Sequence, residues 1–157
     1  MNEVLISIEK ISKSFDPGKN AEKKAVNDIS AAVSAGCITG LAGADGAGKT
    51  TLLRLICGLL LPDSGKISVA GYDTVSGSDK IHSILGYMPQ KFGLYEDLTV
   101  MENLELHAAL RNIPTDERKS RYDEILAFTS LAPFTKRLAG KLSGGMKQKL
   151  GLGCTLL

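Results

Sequence analysis

The 157-residue sequence has little of several things that carry chemistry: three cysteines, two histidines, and no acidic residue after Glu124. Cys37, Cys57 and Cys154 are too few and too scattered for a disulfide framework, and they lack the paired spacing of a zinc site. Each lies among apolar residues, so three buried thiols are expected. His82 and His107 have no second ligand three or four positions away and read as ordinary solvated or packing residues. No run is long and apolar enough to span a membrane; the best, Leu52 to Leu61, is short and carries Arg54. Met1-Asn2-Glu3 lacks the basic start and apolar core of a signal peptide, which leads to the expectation of a cytoplasmic protein. Internal repeats and low-complexity tracts are also missing.

What is present suits one domain. The length allows a real core, and 43% hydrophobic with 23% charged residues is ordinary for a globular chain. A net charge of +2 hides an asymmetry, because all 17 acidic residues lie at or before Glu124 whereas five basic ones, Lys136, Arg137, Lys141, Lys147 and Lys149, follow it. Such a block could touch nucleic acid or lipid headgroups. It has no aromatic interleaving beyond Phe134, which favours a solvated face beside a phosphate-binding element and argues against a nucleic-acid partner.

Hydrophobic periodicity predicts a strand at Val4 to Ile8, a loop through Lys24, a strand from Val26 to Val33, and a buried strand from Ile38 to Ala42. A helix should follow and end near Gly58, since Leu61-Pro62-Asp63-Ser64-Gly65 is turn chemistry. Lys66 to Ala70 and Ile84 to Met88 read as short strands, with a helical turn from Gly77 to Ser83 between them. Beyond Lys91 the chain turns helical. Thr99 and Glu102 form a capping box for a helix to about Asn112, a second helix runs from about Asp116 to Phe128 with Tyr122, Ile125, Leu126 and Thr129 on one face, and a shorter piece begins at Pro133.

The densest signal is Gly43-Ala44-Asp45-Gly46-Ala47-Gly48-Lys49-Thr50, followed by Thr51. It stands between an apolar run and a helix-like run, the context in which a glycine, four residues, glycine, lysine, hydroxyl pattern reads as a phosphate cradle. The glycines let consecutive N–H groups face one anion, and the helix beginning near Gly48 adds the positive end of its dipole. Lys49 can then reach β- and γ-phosphates while the Thr50 hydroxyl ligates Mg²⁺. The alternative is a glycine turn before a surface lysine. Ser143-Gly144-Gly145 opens another helix and offers a second place where N–H groups meet a positive dipole end, or simply a serine N-cap.

Taken together, Gly43 to Thr51, the Tyr87-Met88-Pro89-Gln90 segment and Leu142 to Met146, in this order, resemble the nucleotide-binding domain of ATP-binding cassette (ABC) transporters. The likeness covers essentially the whole chain. It is closest in Gly86 to Asn103 and Phe128 to Leu157, which look like the first cassette of the tandem-cassette ATPase subunit of bacterial multidrug exporters of the ABC-2 type. The fold it implies is an α/β P-loop NTPase with a mixed-sheet front half and a helical subdomain, divided into an ATP-binding core (1–90 and 143–157) and a helical part (91–142). ATP and Mg²⁺ are the implied cofactors. Gly43, Ala44, Asp45, Gly46, Ala47, Gly48, Lys49, Thr50 and Thr51 match the Walker A loop. Gln90 matches the glutamine that approaches Mg²⁺ and the attacking water, and Phe15 falls where the family places a ring against adenine, although a core phenylalanine reads nearly as well. Leu142, Ser143, Gly144, Gly145 and Met146 match the signature motif, which in the family contacts ATP held by an opposite cassette.

The implied partners are a second cassette and ABC-2-type membrane permease subunits, placing the protein on the cytoplasmic face of the inner membrane. Several departures bear on this. Asp45 stands where the family more often has asparagine, which puts a carboxylate near phosphates. Met146 replaces the usual glutamine, and Gly151 and Gly153 each cost a helix about 1 kcal/mol relative to alanine. No apolar run followed by Asp-Glu occurs; the nearest, Leu59-Leu60-Leu61-Pro62-Asp63, belongs to a turn. The family's Walker B strand, catalytic glutamate and switch histidine are therefore expected to be lacking, the chain reads as a truncated cassette, and it should bind nucleotide better than it hydrolyses it. A small P-loop kinase or GTPase would leave Leu142 to Met146 unexplained. A DNA-repair cassette would need a long coiled coil where Ser143 follows Gln90 by only 53 positions. A translation-type cassette is opposed by Lys91 to Val100, which resembles a membrane-subunit docking loop, and an inactive truncated product is the remaining alternative.

Overall fold

The computed structural model describes residues 3–15, 24–90 and 93–157. These divide into two compact units, Met1–Leu85 and Gly86–Leu157. The predicted loop before Lys24 and the start of the Lys91 to Val100 segment lie largely outside the described residues.

In the first unit, β1 (Val4–Lys13), β2 (Val26–Ser34), β3 (Ser64–Val69) and β4 (Tyr72–Asp73) form one sheet in the order β2-β1-β3-β4. Its ladders are all antiparallel. The strand predicted for Val4 to Ile8 runs on to Lys13 because of a bulge. Lys10 has a φ of 48°, and the pairing with β2 shifts between Ile8 and Ile11. The extra residue moves the inward phase from Ile8 to Ile11, so both are buried. The displaced Lys10 N–H donates to Ser30 Oγ at 2.9 Å, and Gly65 lies so close to the Glu9 and Lys10 carbonyls that a Cβ there would overlap them. Ile8, Ile11, Val26, Ile67 and Val69 pack with Leu55 and Ile56 of α1 (Lys49–Ile56) and Ile81 of α2 (Ser78–Ile84). As expected, α1 stops at Gly58. The Gly58 N–H donates to Leu55 O and the Leu59 N–H to Arg54 O, with Gly58 at φ 66°, which is a Schellman stop.

Two predicted strands are not strands here. Ile38 is wholly solvent-exposed and Leu41 half so, and the run to Ala42 pairs with nothing among the described residues. Alternation and apolarity announce a buried strand, yet a strand also needs a neighbour for its N–H and C=O groups and cover for both faces. Ile84 closes α2 and is exposed, and residues 85–89 are irregular for the same want of a partner. Cys37 is exposed as a consequence, contrary to the expectation for all three thiols, whereas Cys57 and Cys154 are buried. Burial pushes the Cys154 thiol up to about 12 and raises that of Cys57 as well. A thiolate-seeking reagent such as a disulfide dye should therefore label one cysteine per folded chain, Cys37, and all three in denaturant; rapid labelling of Cys154 in the folded chain would contradict the packing.

The second unit is helical: α3 (Val100–Leu110), α4 (Thr115–Thr129) and α5 (Gly144–Leu156), with 3-10 turns at Ala132–Phe134 and Ala139–Lys141. The capping box on α3 is as expected, Glu102 N–H donating to Thr99 Oγ1 at 3.2 Å and Thr99 N–H to Glu102 Oε2 at 2.7 Å. The four residues predicted for one face of α4 are its buried ones. Asn112 and Ser130, at φ 54° and 59°, end α3 and α4 as Gly58 ends α1. Leu104, Ala108, Ile125, Leu126, Leu150 and Cys154 join the three helices in one core. Gly153 has a packing reason: a Cβ there would lie 2.7 Å from Ile125 Cγ2, so its helix-propensity cost allows α4 and α5 to approach. Within this unit α5 packs against α3 and α4. Among the described residues no helix is long and apolar enough to cross a membrane.

Candidate functional site

The glycine loop lies in the first unit, between the irregular run to Ala42 and α1. Gly46 and Gly48 take φ values of 77° and 86°, a region that disfavours any side chain. At Gly48 the demand is also steric, because a Cβ would overlap the Ala25 carbonyl oxygen at the base of the β1–β2 hairpin. Ala25 is held there by its N–H donating to Lys13 O at 2.8 Å. The first intrahelical bond runs from Leu52 N–H to Gly48 O. Among the described residues no backbone acceptor takes the N–H groups of Lys49, Thr50 or Thr51, and α1 has no acidic residue in its first turn. Three unpaired donors and a positive dipole end thus stand together with nothing negative in the first turn of the helix to answer them.

The Lys49 ammonium folds back over the loop and donates to the Gly43 and Ala44 carbonyls, each at 2.7 Å. It is therefore tied to the same loop whose following N–H groups have no backbone acceptor among the described residues. Thr50 and Asp45 are exposed. A cleft of about 380 Å³ opens beside the loop, lined by Ala25, Val26, Leu41, Gly48, Lys49 and Leu52 among others. This donor set fits a phosphate chain: backbone N–H groups, one mobile ammonium, one hydroxyl. For Mg²⁺ the loop offers the Thr50 hydroxyl, and among the described residues no group of three or more His, Cys, Asp or Glu side chains could hold a metal. Any such ion would rest mainly on nucleotide oxygens and water.

Phe15 follows the end of β1 and is 58% exposed. The preceding residue is pinned, with Ser14 N–H donating to Asp63 Oδ2 at 2.6 Å beside the Lys13–Asp63 ion pair. Those bonds, that from the Lys13 side chain first, hold the Asp63 carboxyl below its usual range. The ring is thus not a core phenylalanine. Gln90 is exposed at the end of the irregular stretch 85–90. In the second unit Ser143 caps α5, its Oγ accepting from Met146 N–H at 3.3 Å. Gly144 and Gly145 are exposed, and a Cβ on either would meet nothing within 4 Å. Leu142 is buried and Met146 packs against the same core, so those two side chains anchor the turn while Ser143 and the glycines face outward. Packing also accounts for Met146: an apolar side chain suits its half-buried place better than glutamine.

A family model described as ABC transporter matches residues 26–157. This chain belongs to the ABC transporter family. The cassette is 57% identical, over all 157 residues, to the protein of Escherichia coli (strain K12) named Probable multidrug ABC transporter ATP-binding protein YbhF, of which it spans 27%. It is 39% identical to Methionine import ATP-binding protein MetN of Corynebacterium diphtheriae, over 99% of this chain and 47% of that one. Among solved structures, a dimeric post-hydrolysis state of the ATP-binding cassette MJ0796 bound to ADP and Pi superposes with a TM-score of 0.80 at 25% identity, covering 96% of this chain and 68% of that one. The α/β P-loop fold of the ABC type is thereby established for the cassette, as a partial domain of the solved ones. The family is one of ATP-binding proteins.

Two features of the cassette escaped the sequence reading. Asn103 is completely buried and its amide serves four backbone bonds, accepting from Tyr95 N–H and donating to the Tyr95, Leu98 and Thr99 carbonyls at 2.9–3.3 Å. A polar residue beside Leu104 on the apolar face of α3 was the available signal. The Lys147–Glu96 ion pair, 2.6 Å, joins positions 51 apart and left no local trace.

Proposed function

We propose that this cassette is the ATP-binding part of an ABC transporter that exports drugs or other small molecules across the inner membrane, working from the cytoplasmic face. The observation that carries the reading is the N–H groups of Lys49, Thr50 and Thr51, without a backbone acceptor among the described residues, next to a loop that also binds the Lys49 ammonium. In this reading Gly43 to Thr51 hold the triphosphate, Phe15 stacks on adenine, and the Thr50 hydroxyl helps to hold Mg²⁺, which when bound offsets phosphate charge and the Asp45 carboxylate. Ser143, Gly144 and Gly145 contact ATP bound by a second cassette, and ABC-2-type permease subunits receive the motion. Drugs as cargo are supported by the name of the 57% identical relative, a probable multidrug transporter ATP-binding protein; a methionine importer protein at 39% identity makes clear that a cassette of this kind does not by itself set direction. No nucleic-acid role is proposed.

The 157 residues hold no apolar run ending in Asp-Glu, so we place no general base among them. A positioned base contributes typically 10²- to 10⁴-fold. Titrating the purified chain with MgATP in a calorimeter is expected to give saturable binding, while phosphate release stays at least about a hundredfold below that of a complete cassette. A folded chain that takes up no MgATP would overturn the reading, and turnover equal to a complete cassette would overturn its second half.

A further inference from the structure

Residues 95–99 run as a strap along the segment that leads into α5. The Ala139 N–H donates to Leu98 O at 2.8 Å and the Gly140 N–H to Glu96 O at 2.9 Å, while Thr99 and Leu138 form an isolated antiparallel bridge. The Val100 N–H donates in turn to Arg137 O at 2.9 Å. The close approach favours Gly140, since a Cβ there would lie a tight 3.1 Å from Glu96 O. Buried Asn103 holds the strap from the other side through Tyr95, Leu98 and Thr99. The Glu96 side chain then crosses to Lys147, 2.6 Å away, on the first turn of α5. Residue 96 therefore grips the chain both before and after Ser143-Gly144-Gly145, once through its backbone carbonyl and once through its carboxylate.

Lys147 also donates its N–H to Ser143 O at 2.8 Å, so fixing its side chain fixes the helical turn that the glycines begin. Exposed ion pairs add little to stability. With Glu96 well exposed and Lys147 less so, the value of this one is geometric, and its removal leaves the fold standing. We infer that Glu96 is a positioning residue for the outward-facing turn Ser143–Gly145, acting through Lys147 and Gly140. Resting on the proposed function, this assigns the strap the task of presenting that turn, already in place, to a phosphate on a second cassette, a contact made only when the two cassettes close.

Three variants test it: Glu96→Gln, Glu96→Lys, and the swap of Glu96→Lys with Lys147→Glu. Amide hydrogen exchange at Gly140, Met146 and Lys147 reads the positioning without ATP. It is expected to quicken about fivefold in the single variants and return towards wild type in the swap, the size set by what such a pair contributes. In the ATPase assembled with a complete partner cassette, whose bound ATP the turn would contact, kcat should fall about fivefold in Glu96→Lys with KM for ATP within about twofold, because that contact forms only on closure, and the swap should recover most of the loss. Unchanged exchange, or a kcat that does not move or is not rescued, would overturn the inference. Failure of the wild type to bind ATP would remove the functional reading instead, and exchange would still decide whether Glu96 holds the turn.

Discussion

Replacing Lys49 by alanine is expected to weaken MgATP binding roughly 30-fold, the equivalent of about 2 kcal/mol for losing charge-assisted bonds to phosphate. The effect separates cleanly from folding. Among the described residues the Lys49 ammonium donates to the Gly43 and Ala44 carbonyls of an exposed loop, which water can serve equally well, so stability should drop by no more than about 1 kcal/mol. Calorimetric titration of wild type and variant, with circular dichroism to check the fold, makes the comparison. Equal affinities in two folded proteins would mean that the ammonium does not touch the ligand, and the loop would then be a turn in front of a surface lysine.

Removing the Asn103 amide should cost the helical unit about 2 kcal/mol. Asn103→Leu keeps the branching of the side chain but takes away the acceptor for Tyr95 N–H and the donors to three carbonyls, at a fully buried position. Leu98 O and Thr99 O retain other donors, Ala139 N–H and the residue-103 N–H. The Tyr95 N–H loses its partner in a part-buried place, and such a loss together with the weakened amide bonds costs about 1–3 kcal/mol. Urea unfolding monitored at 222 nm reads the change. A loss under roughly 0.5 kcal/mol would show that the strap reaches solvent and that its order comes from the 135–140 segment alone.

Burial of His107 lowers its pKa, with Arg111 adding to the effect. A neutral imidazole is thus favoured in the folded chain, and the stability it contributes is full above its ordinary value near 6.5 and is lost as pH falls below that. Asp63, Asp73 and Glu102 have lowered values, so their contributions fade only at more acid pH.

The legible part of the molecule is its local chemistry. Capping by Thr99 with Glu102, the stop at Gly58, the buried face of α4 and the Ser143 cap all depend on residues within a few positions of one another, and each is formed as read. The bulge at Lys10 was not, because alternation that breaks after Ile8 looks like a strand's end when only one strand is in view; the Ser30 hydroxyl and the side-chain-free Gly65 that accommodate it come from other strands. The run from Ile38 to Ala42 fails in the opposite sense, its pattern being right for a strand whose partners are not among the described residues.

A backbone that must bend through left-handed angles at Gly46 and Gly48 and leave three amides without a backbone acceptor among the described residues was written into the order of glycine, lysine and threonine, since conformational freedom and charge belong to residue types. Which carbonyl makes Gly48 indispensable, which side chains of Leu142 to Met146 turn inward, and which carboxylate answers Lys147 were settled only when segments up to 51 positions apart met. Close packing and ion pairing are properties of distances between remote atoms, and no window on the sequence contains them.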